Sequence, residues 1–156
     1  MRRLILAIIS IFAMLLVPTA AASAETVTAH NETETMHDVV PCVGEATITI
    51  TYNAVEHFSV GANGSVHGTF TQTGTFVAVL DSGGTSSGRF TIWGGFNGIP
   101  GGSNGATTFT FSGTVKSGVG AGTTWSEVMH ATAPLDADGN PILDLAKVAF
   151  DNFRCH

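Results

Sequence analysis

Charge is scarce in this chain of 156 residues: 12% are Asp, Glu, Lys or Arg, against about a quarter in an average domain. That excludes a charge-rich disordered tail, and the shortage of Glu, Lys, Leu and Arg excludes a coiled coil. Basic residues are the scarcer half, six Lys+Arg against twelve Asp+Glu, for a net charge of −6. A nucleic-acid binder needs a basic stripe to displace counterions, and none is present. Catalytic signatures are also missing. There is no Gly-x-Ser-x-Gly elbow, Walker loop or HExxH, so no catalytic residue is assigned and no cofactor is expected. Of the six histidines, His57 and His67 fall on one outer face, and His30 or His37 could join them. Nothing has zinc-motif spacing, so no metal is assigned. Asp136-x-Asp138-Gly139-Asn140 resembles half a calcium loop, but its Gly stands at position four instead of six and no Glu follows at twelve. It reads as a turn.

No apolar run reaches the roughly 20 residues that a membrane helix needs. The longest, Leu4 to Val17, follows Met1-Arg2-Arg3 and precedes Pro18 and an Ala-rich stretch ending Ala22-Ser23-Ala24. This is the three-part pattern of a secretory signal peptide cut after Ala24. The expected organisation is a signal peptide over 1–24 and one domain over 25–156. The mature chain is then secreted, has no stable membrane insertion, and carries a net charge of −8 with Arg89, Lys116, Lys147 and Arg154 as its Arg and Lys residues. Its two cysteines, Cys42 and Cys155, read as a disulfide in an exported protein, clipping the two ends of the domain together.

What is abundant is strand chemistry. The mature part holds 20 Thr, with Val and Phe frequent and Gly and Asn punctuating at short intervals. Thr47 to Val60 alternates for fourteen residues, with Ile48, Ile50, Tyr52, Ala54, Glu56, Phe58 and Val60 on one face. Ser65 to Leu80 follows, carrying Val66, Gly68, Phe70, Gln72, Gly74 and Phe76 on its inner face and four threonines on the other. A three-residue loop with left-handed Gly64 pairs Val60 with Val66, Phe58 with Gly68 and Ala54 with Gln72, which makes both apolar faces coincide. Further strands are expected over Gly88 to Asn97, Ala106 to Val115, Thr123 to Ala133 and Ile142 to Phe150. Phe90, Ile92, Phe96, Phe109 and Phe111 face inward. Asn31 to Val40, polar on both faces, is the weakest candidate for a first strand. The fold class is all-β, a single-domain antiparallel up-and-down barrel of seven or eight strands, with a β-sandwich as the alternative. Long strands favour closure, which removes aggregation-prone edges.

Glu56 and Gln72 break the apolar face of their hairpin, and Glu127 shares a face with Trp125 and Met129 unless Val128 takes that side. A carboxylate in an apolar interior needs a partner or a proton. The expected ligand site is therefore an interior of a few hundred Å³. Tyr52, Phe70, Phe109, Phe111 and Trp125 would line it, and Glu56, Gln72 and Glu127 would be its polar groups.

Several segments carry a resemblance: Pro41-Cys42, Thr51-Tyr52-Asn53-Ala54-Val55-Glu56-His57, Gly64-Ser65-Val66-His67, the run from Gly88 to Asn97, and the Phe150-Asp151…Arg154-Cys155 ending. They resemble a group of small secreted actinobacterial proteins, in general layout and over nearly all of the mature chain. That resemblance implies export and a terminal disulfide, and no catalytic residue. Glu56 stands where that group would have an apolar residue. A looser likeness, on strand count, is to lipocalins and allene oxide cyclase. The expected function is a secreted, non-enzymatic barrel holding a small apolar ligand. One alternative is an extracellular or cell-envelope interaction protein acting through the Gly-rich 94–105 loop or a sheet edge, its partner unspecified. The other is a cyclase- or isomerase-like enzyme using Glu56 or Glu127 as acid and base.

Overall fold

A computed structural model describes residues 23–99, 105–136, 142 and 145–156. The leader up to residue 22, the Gly-rich segment 100–104 and the Asp138-Gly139 turn lie outside the described residues. Seven strands run in chain order: β1 Ser23–Val40, β2 Gly44–Val60, β3 Val66–Leu80, β4 Thr85–Gly98, β5 Gly105–Gly118, β6 Thr124–Ala133 and β7 Lys147–Cys155. Each pairs antiparallel with the next, giving one sheet in the order β1-β2-β3-β4-β5-β6-β7. The fold is an all-β meander. No ladder joins β1 to β7 among the described residues, so the sheet has two open edges.

The sheet is nevertheless strongly curled. Phe76 on β3 touches Trp125 on β6, with ring centroids 6.0 Å apart. Side chains from β1 through β6 border one cavity. At one end a disulfide joins Cys42, in the β1–β2 turn, to Cys155 at the end of β7, with Cα atoms 6.0 Å apart. Beside it, the Thr124 and His156 backbones exchange two hydrogen bonds of 2.9 and 2.8 Å.

The β2–β3 register is the expected one: Val60 faces Val66, Phe58 faces Gly68 and Ala54 faces Gln72. The Gly61 amide donates to the Ser65 carbonyl at 2.7 Å, which leaves Ala62-Asn63-Gly64 as a three-residue loop. Gly64 has a φ of 78°, so the left-handed position goes to the residue that accepts it without strain.

Two ends differ from the expected layout. The first strand is longer than Asn31 to Val40, because β2 offers a partner along its whole length. The ladder runs from Ser23 opposite Val60 to Val40 opposite Gly44, interrupted between Ala29 and Glu32. The last strand begins at Lys147 instead of Ile142 and runs on to Cys155. Here the register is fixed by Cys155 lying opposite Trp125, which brings it to its disulfide partner.

Tight curling requires room on the concave face, and glycine provides it. Phe96 lies opposite Gly68, Phe90 opposite Gly74, Phe76 opposite Gly88 and Phe109 opposite Gly94. Trp125 lies opposite Gly113. A Cβ added at Gly113 would collide with the Trp125 ring, and one at Gly68 with the Phe96 ring. The rings thus lie over the strand across from them and fill the space a side chain would occupy, shielding glycine backbone from water. The core is the resulting apolar layer, from Val40, Ala46 and Ile48 through Phe76 and Phe90 to Phe111 and Trp125.

Candidate functional site

Directly paired residues share a face of a sheet, so the ladders assign the concave face strand by strand. On β2 it carries Ile48, Ile50 and Tyr52, and these place Met36, Glu34 and Glu32 of β1 on the same side. Between them lies a cavity of about 90 Å³. Its wall is apolar: Ile48 and Ile50, Phe76, Phe90 and Ile92, Phe111 and Trp125. The aromatic part is continuous. Trp125 packs against Phe111 at 5.7 Å, and Phe111 meets Phe90 edge-on at 6.5 Å. β1 and the turn after it supply the remaining border, with Glu34, Met36, Asp38 and Pro41.

Two polar groups interrupt the apolar wall. Gln72, 6% exposed, borders the cavity, and its amide has no hydrogen-bond partner among the described residues. Trp125 is 3% exposed, and its buried Nε1–H likewise has no acceptor. A buried donor left unpaired costs about 1–3 kcal/mol, and this one belongs to a residue in the cavity wall.

The acids around the site show what the curled face does to charge. The Tyr52 hydroxyl donates to Glu34 Oε1 at 2.7 Å. Its pKa is pushed up to about 12, first by burial and then by its hydrogen bond to Glu34 and the charges of Glu34 and Glu32. Glu127 is pushed up to about 7 by burial, helped by the charge of Asp151 on β7 and a hydrogen bond to it. Burial also raises Glu56.

Of the residues expected to form the ligand site, Gln72, Phe111 and Trp125 border the cavity. Tyr52, Phe109 and Glu127 are buried on the concave face but lie outside the cavity border. Tyr52 reaches it only through Glu34. Glu127 does point inward, at 9% exposure against 37% for Val128. Glu56 and Phe70 are half-buried and face each other farther along the hairpin. The cavity is smaller than the expected few hundred Å³ because the aromatic rings fold across the glycines and fill much of the interior. Sequence reasoning missed Glu34, Met36 and Asp38. Their signal is the alternation Glu32-Thr33-Glu34-Thr35-Met36, which is period two with acids and Met on one side.

No group of three or more His, Cys, Asp or Glu suited to a metal ion occurs among the described residues. His57 is engaged by the Thr26 hydroxyl at 2.7 Å, and His37 pairs with Asp81 at 3.0 Å. His130 bonds Thr108 and stacks on Phe150. No described helix is long and apolar enough to cross a membrane. No family model, curated protein or solved structure matches the chain. The disulfide is compatible with an extracellular protein.

Proposed function

We propose that the chain is exported, that residues 1–24 are removed on the way, and that the mature protein binds a small, largely apolar ligand. The observation that carries this is the apolar cavity bordered by Trp125 and by the buried Gln72 amide. Removal of 1–24 takes only Ser23 and Ala24 from β1, so the ladder with β2 persists from Glu25 opposite Phe58 onward. A cavity of about 90 Å³ is smaller than the roughly 150 Å³ that holds benzene. It accepts a slim chain of a few carbons, with the rest of the ligand projecting past β1. Neither Glu56 nor Glu127 borders the cavity, which favours binding over the acid–base enzyme.

The test is mass spectrometry of protein secreted by its own host, under native and then denaturing conditions. The denatured mass is expected to fit residues 25–156 less two hydrogens. A native mass exceeding it by a discrete small-molecule increment supports the carrier. A bare native mass, with no change in Trp125 fluorescence on adding short-chain alcohols, refutes it.

An interaction role is favoured by one separate observation. β7 is exposed along its length, has no second neighbour among the described residues, and bears Val148, Phe150 and Phe153 at 38–49% exposure. Unpaired edges of this kind pair with other chains. Loss of a host-derived cross-linked partner on changing Phe150 and Val148 to Lys would support that reading.

A further inference from the structure

Charge is sorted between the two faces of this sheet. The ladders place Glu25, Glu32, Glu34 and Asp38 of β1 on the concave side, opposite Phe58, Tyr52, Ile50 and Ala46 of β2. Glu56 and Glu127 lie on that side too, opposite Phe70 and Phe111. The cations lie elsewhere. Arg89 faces Thr75 and Thr114, Arg154 faces Ser126 and Lys147 faces Thr132, all on the convex side. Lys116 follows the inward, buried Val115 and is exposed. The concave face therefore carries carboxylates with no Arg or Lys among the described residues to balance them. Two of those carboxylates, Glu34 and Asp38, border the cavity from one strand, with Met36 between them.

Building on the carrier reading, we propose that the ligand is a small amphiphilic cation. Its ammonium head sits at Glu34 and Asp38, its short aliphatic chain lies in the apolar cavity, and a neutral polar oxygen at its other end meets the Gln72 amide. Each part answers a separate feature. The acids at the mouth supply attraction for a positive head. The wall of Ile50, Ile92 and Phe111 repels a second charge. The Gln72 amide, 6% exposed and bordering the same cavity, asks for a polar atom and not for a bare methyl end. The Tyr52 pKa is raised first by burial and then by its hydrogen bond to Glu34, and the charges of Glu34 and Glu32 add to it. A carboxylate ligand of equal length would meet these charges with the wrong sign.

The experiment uses the mature, disulfide-bonded protein with Trp93→Phe, so that Trp125 is the only indole. Trp93 lies on the convex face, 55% exposed. Four six-carbon probes are titrated by fluorescence at pH 7: 6-amino-1-hexanol, n-hexylamine, 1-hexanol and hexanoate. The expected order is aminohexanol, hexylamine, hexanol, hexanoate. Glu34→Gln keeps an acceptor for Tyr52 and is expected to cut the preference for hexylamine over hexanol on the order of tenfold, as is Asp38→Asn. Equal binding of hexanol and hexylamine, or tightest binding of hexanoate, overturns the cationic ligand and leaves the carrier standing. Selectivity unmoved by both variants overturns it as well. Binding of none of the four overturns the carrier and this inference together.

Discussion

Removing the disulfide by Cys42→Ala with Cys155→Ala perturbs the fold in two separable ways. The first acts on the unfolded chain. The bridge spans a sequence separation of 113 residues, and closing a loop of that length removes about 16 cal/mol/K of chain entropy, or about 4.8 kcal/mol at 25 °C. Stability of a single domain is about 5–15 kcal/mol, so the loss is a large share of the whole. With a urea slope of about 2 kcal/mol/M it lowers the midpoint by roughly 2.4 M. The second effect is local. β7 is exposed throughout and its only ladder among the described residues is to β6, so without the staple its end is held by little beyond the paired backbone bonds of Thr124 and His156. Hydrogen exchange should then show β7 amides opening well below the global unfolding free energy, while β3 and β4 keep theirs. Cys42 has a φ of 66°, and alanine inherits that strain unchanged, so the difference between the proteins reports the cross-link. A midpoint shift under about 0.5 M, or equal loss of protection in β7 and β3, refutes the reasoning.

Three further outcomes follow from the concave face. Tyr52 is the sole tyrosine, so phenolate absorbance should rise with a midpoint near 12 in the folded protein and near 10 in urea; coincident curves would show the hydroxyl to be free of Glu34. Glu127, raised to about 7 from 4.5, is folded preferentially in its protonated form. Its contribution is complete below pH 4.5, is lost as pH rises toward 7, and is constant above. Allowing for solvent screening, the loss is about 1–2 kcal/mol, so Glu127→Gln should raise the urea midpoint at pH 8 and much less at pH 4; equal gains at both would contradict it. Gly113→Ala should cost about 1–3 kcal/mol by overpacking against Trp125 and shift its emission, read by thermal melts and fluorescence; a neutral substitution would mean the ring does not lie over Gly113.

Much of the fold is carried by local pattern. The fourteen-residue alternation before Val60 sets a strand, and only one loop aligns it with the next strand so that both apolar faces agree. The two ends are different, because their pairing is decided by distant residues. β1 has too few apolar positions to announce itself and is ordered by the full-length ladder that β2 offers. β7 is placed by the bridge and by Cys155 meeting Trp125, which shifts it past Ile142. Closure is equally non-local. A row of long strands is compatible with a barrel, but whether the last edge meets the first depends on accumulated twist and curl, and here no β1–β7 ladder forms among the described residues.

The site divides along the same line. Gln72 and Trp125 were legible because a polar or bulky group on an alternating apolar face must be accommodated inside. Glu56 and Glu127 broke the pattern as well, yet they sit away from the cavity: alternation tells which side a residue faces and says nothing of where the remaining space is. That space is decided by volumes, by which rings lie over which glycines. Phe76 over Gly88 and Trp125 over Gly113 fill one region, and the void left beside them is bordered by β1, which turns Glu34 and Asp38 to the same side as Met36. The consequence is physical. A sheet that closed its core with an apolar first strand would have buried the gap. Closing this one with Glu34, Met36 and Asp38 leaves an apolar cavity with acids on one border. Replacing both acids with Leu should therefore stabilise the protein while removing its preference for charge, the combination expected when side chains are kept for binding at the expense of packing.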